Sequence, residues 1–227
     1  TIRPQWATEI SKDQGAVVFF GDSITQGWGT DFRKAFEGMK LATRGIGGDT
    51  TRGMLLRLKE DVLALNPKAV VLLMGTNDIE VEVPVDAIGR NFQKIAATLK
   101  AHDPKMPVIV CRIFPSSATK KRPKETILAV NELFATAVKG DPQFTVLDTY
   151  ALASGTARAM VKNGGKSWFF ITADYAFGHS LEKDSSDVVK ANGGTVLGSV
   201  RHPFPGSDFS SYLLRAQSSG AQVIGLA

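Results

Sequence analysis

Ala16-Val17-Val18-Phe19-Phe20-Gly21-Asp22-Ser23-Ile24 is the stretch on which the reading of the fold turns. Five consecutive apolar residues closed by a glycine predict a buried strand, because a strand covered on both faces shows a continuous apolar run and not an alternation. The first polar side chains after it are Asp22 and Ser23. They fall at the carboxyl end of that strand, the edge of a parallel α/β sheet at which ligands bind. On a tight turn there, Ser23 can offer its hydroxyl and its backbone N–H to the same space. A serine so placed also suits a plain helix cap, so the other loops have to decide between the two.

Outward from this stretch the chain alternates. Residues 4–12 read as a short amphipathic lead-in with Trp6 and Ile10 on one side. A helix is expected over roughly 30–38 and a short strand over 40–43, followed by a helix over 54–65 in which Met54, Leu55, Leu58, Val62 and Leu65 recur at helical spacing. Thr50 or Asp49 is placed to cap it, and Asn66-Pro67 to stop it. Strand 69–74, helix 86–101, strand 108–113, helix 124–138 and strand 144–147 come next. Beyond 150 the pattern continues with helices over 150–162, 180–191 and 208–218 and strands over 168–172, 195–200 and 222–226. Two Asn-Gly-Gly sequences, at 163–165 and 192–194, read as helix-ending turns. Alternation with short connections predicts an α/β fold, a doubly wound parallel sheet with right-handed crossovers, continued by further β–α units. The expected division is residues 1–150 and 151–227.

Three strands end in loops of small or polar residues: Ser23, Gly47-Gly48-Asp49 and Gly75-Thr76-Asn77. In a parallel sheet these loops lie along one edge. Acyl transfer requires a nucleophilic hydroxyl and donors for the oxyanion that develops on the carbonyl. The backbone N–H groups of Ser23 and Gly48 and the side-chain amide of Asn77 would supply three. A phosphate cradle is the rival reading. It is the weaker one, because Gly45-Ile46-Gly47-Gly48 fits neither the dinucleotide fingerprint nor the P-loop spacing, and no lysine follows it.

Gly21-Asp22-Ser23-Ile24, Gly47-Gly48-Asp49-Thr50 and Gly75-Thr76-Asn77-Asp78 resemble the first three blocks of the SGNH (GDSL-type) hydrolases. The resemblance runs from about Trp6 to about Leu152 and is close to the branch of platelet-activating-factor acetylhydrolases and bacterial acyl esterases. It implies a flavodoxin-like sheet, Ser23 as nucleophile, and Gly48 and Asn77 as oxyanion donors. Thr43-Arg44-Gly45 departs slightly, with threonine where the family has asparagine. The larger departure is the last block, Asp-x-x-His, which occurs nowhere in the chain. The available histidines are His102, His179 and His202. His102 falls at the amino edge of a strand. His202 follows a strand at a carboxyl edge and is the first choice as stand-in base, before His179. From about Asp148 the chain is instead similar to part of one lobe of the branched-chain-amino-acid type of periplasmic solute-binding protein, through Gly155–Ala159, Trp168–Gly178, Gly198–Pro203, Asp208–Ser211 and Gln222–Ala227. That resemblance places Tyr175 where a ligand-cleft tyrosine can stand, and it makes the chain a hybrid with its crossover at 148–152.

Composition bounds the rest. Hydrophobic residues at 43% and charged residues at 22% are ordinary for a globular protein, and no apolar run is long enough for a membrane span. The net charge of +5 is spread among acidic residues, which argues against a nucleic-acid surface. Lys120-Lys121-Arg122-Pro123-Lys124 reads as a solvated loop. A lone cysteine, Cys111, excludes an internal disulfide and sits among apolar neighbours. Scattered histidines and one cysteine give no metal-ligand spacing, and the implied chemistry needs no cofactor. A start at Thr1 without a signal-like segment reads as a processed or trimmed form, with a lean towards a secreted or periplasmic protein. The functional expectation is a serine esterase acting on a small-molecule acyl ester through Ser23, Gly48, Asn77 and His202. The alternative is a ligand-binding or interaction protein whose esterase loops are silent.

Overall fold

The computed structural model describes residues 3–27, 36, 38–116, 120–174, 176–203 and 208–227. The chain divides into two compact units, Thr1–Ile113 with Lys121–Thr149 and Phe114–Lys120 with Tyr150–Ala227. Nearly all of the helix expected over 30–38, and Tyr175, lie outside the described residues.

The first unit opens with helix α1 (Arg3–Asp13) and strand β1 (Val17–Gly21), and Ser23 begins a short helix α2 (Ser23–Gly27). Then follow β2 (Leu41–Gly45), α3 (Thr51–Asp61), a 3₁₀ turn (Leu63–Leu65), β3 (Ala69–Leu73) and α4 (Thr76–Glu80). The unit closes with α5 (Val85–His102), β4 (Val108–Cys111), α6 (Lys124–Ala137) and β5 (Phe144–Leu147). All strands pair in parallel, in the order β2-β1-β3-β4-β5. This is the flavodoxin-like order, whose reversal between β1 and β3 opens a crevice at the carboxyl edge.

The apolar runs explain the layers. Val18 and Phe20 of β1, Val70 and Leu72 of β3 and Val108 and Val110 of β4 are fully or almost fully buried on one face. Met54 and Leu58 of α3, and Ile88, Phe92, Ile95 and Leu99 of α5, are buried at their helical spacing. Phe92 stacks on Phe134 of α6 with ring centroids 4.3 Å apart and ring planes 28° apart. Helix α3 starts earlier than its apolar spacing suggests. Thr50 is its cap, accepting from the Gly53 N–H at 3.3 Å. It also stops sooner: the chain tightens into the 3₁₀ turn before left-handed Asn66, the residue that the pyrrolidine of Pro67 bars from helix.

The later β–α units build a sheet of their own. Helix α7 (Thr149–Lys162), β6 (Ser167–Ala173), α8 (Ala176–Ala191), β7 (Thr195–His202), α9 (Ser210–Ser218) and β8 (Val223–Leu226) give a parallel three-stranded sheet in the order β7-β6-β8. The two-residue period of β6 assigns its faces. Trp168 and Phe170 pack with Ala157, Val161 and Val189 on one side, and Ile171 with Val200 and Ala216 on the other. Both Asn-Gly-Gly turns end their helices as expected. The Gly165 N–H donates to the Met160 carbonyl at 3.0 Å and the Gly194 N–H to that of Val189 at 2.9 Å.

Candidate active site

Three carboxyl-edge loops of the first unit are tied together by hydrogen bonds. At the end of β1, Asp22 is fully buried and its Oδ1 accepts from the Ile24 N–H at 2.9 Å. This bond shapes the turn that leaves Ser23 exposed as the first residue of α2. At the end of β2, the Ile46 N–H donates to the Gly21 carbonyl at 3.1 Å and the Gly47 N–H to Gln26 Oε1 at 2.6 Å. A β-carbon at Gly47 would stand 3.9 Å from that of Ser23, so the two loops run side by side. One at Gly45 would come within 2.2 Å of the Gln26 nitrogen, and only glycine lets α2 pack this closely on β2. Gly48 is exposed, with φ +76 and open space where a side chain would be.

The third loop carries Asn77 on α4, 9% exposed, and its Nδ2 donates to the Asp49 carbonyl at 2.8 Å. Its neighbour Asp78 is fully buried and accepts from both the Thr51 N–H, at 2.8 Å, and the Thr51 hydroxyl, at 2.6 Å. The second and third loops are thus clamped through the first turn of α3. The structure brings Ser23, the Gly47–Asp49 loop and Asn77 to one edge of one sheet. His202 and His179 belong to the second unit.

Several charged groups at this edge were not singled out from the sequence. Arg57 of α3 is buried; its Nη2 donates to the Gly21 carbonyl at 3.0 Å and its Nε to Asp49 at 2.7 Å. The guanidinium lies 4.4 Å from the Phe20 ring centroid. The sequence held a signal for it: Arg57 falls three residues after Met54 and one before Leu58, on the buried stripe of its helix. Lys121, Pro123 and Lys124 of the basic run are exposed, as a solvated loop would have them, and Arg122 departs from that pattern. Its side chain is 17% exposed and pairs with Glu80, and its Nη2 donates to Asn77 Oδ1 at 3.4 Å. Burial pushes the Asp22 carboxyl up to about 6, against the Ile24 hydrogen bond and the positive charge of Arg122, which favour its ionised form. The second carboxylate oxygen of Asp22 has no hydrogen-bond partner among the described residues.

The histidines are placed as follows. His102 is an exposed residue at the end of α5, on the approach to β4. His202 is the last residue of β7, 7% exposed, with its ring edge-on to Phe209 at 4.7 Å between centroids. Its Nδ1 lies 2.9 Å from the Pro203 carbonyl, an acceptor, so that nitrogen is the donor of the pair. His179 Nε2 lies 2.7 Å from Asp174 Oδ1 at the carboxyl end of β6, a pair that the sequence reading did not pick out. Among the described residues no group of three or more His, Cys, Asp and Glu side chains could hold a metal ion. No described helix is long and apolar enough to cross a membrane.

Sheet order, short crossovers and hydrogen-bonded edge loops define a parallel α/β protein with its candidate site at the β1/β3 switch point. The chain belongs to the GDSL-like lipase/acylhydrolase family, whose model matches residues 19–168. A second model, that of a periplasmic binding protein, matches residues 125–227. Platelet-activating factor acetylhydrolase IB subunit alpha1 of Homo sapiens is 31% identical over 142 residues, which are 61% of this chain and 61% of that protein. Subunit alpha2 of Bos taurus is 29% identical over 136 residues, 59% of this chain and 58% of that one. The chain therefore spans no more than 61% of the length of these two relatives. A GDSL-like lipase of Bacteroides thetaiotaomicron superposes with a TM-score of 0.52 at 29% identity, over 63% of this chain and 76% of the other. Both resemblances seen in the sequence are met.

Proposed function

We propose that the chain is a serine esterase that cleaves small acyl esters. The observation that carries this is the Asn77–Asp49 hydrogen bond, which ties the amide of the third loop to the residue after Gly48 while Gly47 lies beside Ser23. Ser23 Oγ attacks the ester carbonyl and its proton passes to an imidazole nitrogen. Charge then develops on the carbonyl oxygen, where the N–H groups of Ser23 and Gly48 and the Asn77 amide receive it; one such donor is worth about 10²–10³ in rate. Collapse of the tetrahedral species breaks the bond to the leaving alcohol, which takes the proton back, and water then releases the acyl group from Ser23 by the same steps. His202, before His179, is the candidate for that imidazole nitrogen; both belong to the second unit, and the separate variants below decide between them.

The test is hydrolysis of p-nitrophenyl acetate. Ser23→Ala is expected to remove activity, with His202→Ala and His179→Ala assayed separately to identify the base. Equal rates for wild type and Ser23→Ala overturn the reading. The periplasmic-binding-protein match over 125–227 favours one alternative, ligand binding with silent esterase loops. Calorimetry with leucine, valine and small amides tests it, and an absence of heat counts against it.

A further inference from the structure

Asn77 has a definite amide orientation. Its Nδ2 meets a carbonyl, that of Asp49, and its Oδ1 meets a cation, the Arg122 guanidinium. Turned over, the oxygen would face the Asp49 carbonyl and the NH2 group would face Arg122, two repulsive contacts in place of two attractive ones. Arg122 is itself anchored by Glu80, one turn further along the same helix, so it spans Asn77 and Glu80 as a clip. It enters from the segment between β4 and α6, a fourth carboxyl-edge connection that the family blocks in the sequence do not include. Its Nε is buried and without a partner among the described residues, and its charge is felt at Asp22, the residue beside Ser23. A solvated lysine-arginine run has none of these features.

We infer that Arg122 is a positioning residue of the esterase site: by holding Oδ1 of Asn77 it keeps the second Nδ2–H turned towards the carbonyl oxygen of a bound ester. This rests on the esterase reading. One hydrogen of Nδ2 is committed to Asp49, and the other is the donor that the developing oxyanion requires. Without Arg122 only the Asp49 carbonyl opposes rotation of the amide about its last torsion, and that donor is held in place less of the time. The loss falls on the transition state, so kcat should fall and KM should stay.

The experiment compares wild type, Arg122→Met, Arg122→Lys and Glu80→Gln on p-nitrophenyl acetate, with Asn77→Ala and the Asn77→Ala/Arg122→Met double variant. Arg122→Met should lower kcat about tenfold with KM within about twofold, as expected for loss of orientation and not of binding. Arg122→Lys should recover part of the loss, and Glu80→Gln should produce a smaller one in the same direction. On the Asn77→Ala background Arg122→Met should cost nothing further; an equal loss on both backgrounds overturns the proposal. A second readout does not depend on turnover. The Asn77 side-chain NH2 pair, identified by its disappearance in Asn77→Ala, should shift and exchange faster with water in Arg122→Met. An unchanged pair overturns the proposal even if Ser23→Ala has shown that the chain is no esterase.

Discussion

Replacing Asp22 by asparagine isolates one buried charge next to the candidate nucleophile. Asp22 is fully buried, keeps one hydrogen bond from the Ile24 N–H, and leaves its other oxygen without a partner among the described residues. Burial raises its carboxyl from the ordinary 3.8 to about 6. A group raised in the folded state binds its proton more tightly there than in the unfolded chain. Its contribution to stability is therefore complete below about pH 4 and lost as pH rises to about 6. The difference between those two values corresponds to roughly 3 kcal/mol. Asparagine has nearly the same shape and can still accept from Ile24, but it does not titrate. The stability difference, wild type minus Asp22→Asn, should therefore fall by on the order of 2–3 kcal/mol between pH 4 and pH 7. Subtraction removes every other titrating group. Urea denaturation with pulsed hydrogen exchange of the β1 and β3 peptides reads the first unit alone. A difference that does not change with pH would refute the reasoning.

Three other outcomes follow from the packing. Asp13→Asn breaks the buried ion pair in which Asp13 accepts from Arg44 Nη2 at 2.7 Å; Arg44 is 1% exposed, so the loss should be about 3–5 kcal/mol by urea denaturation. Gly45→Ala drives a β-carbon to 2.2 Å from the Gln26 backbone, and should cost about 1–3 kcal/mol and lower the proposed esterase activity by displacing the Ser23 turn. Cys111 is buried and burial pushes its thiol up to about 11, so a thiol reagent at pH 8 should leave native protein unlabelled and label it fully in urea; rapid native labelling would show the site to be open.

Much of the first unit's layout is legible because its determinants are local. The apolar runs at β1, β3 and β4 locate strands, the spacing of Met54 and Leu58 locates a helix, and glycines mark where chain must approach chain. The three loops could be placed together because parallel connectivity alone puts the carboxyl end of every strand on one edge. Boundaries were less legible. The end of α3 depended on the 3₁₀ turn competing with one more α-turn, and the start of that helix on which of two adjacent residues capped it. The charged groups were least legible, because a side chain's partner is chosen by tertiary proximity. Arg122 meets Asn77 across 45 positions and Arg57 meets Gly21 across 36. In sequence the first was one of a row of surface-like cations.

By itself the sequence determined the class of fold, the edge on which its three candidate loops meet, and the family, since these rest on periodicity and on three short blocks at fixed spacing. Only the tertiary structure decided that the later β–α units form their own sheet, that Asp22 is a buried acid, and that a guanidinium stands against the Asn77 amide. The reason is physical. Backbone pattern is set by neighbours along the chain, whereas burial, protonation and hydrogen-bond partners are set by neighbours in space.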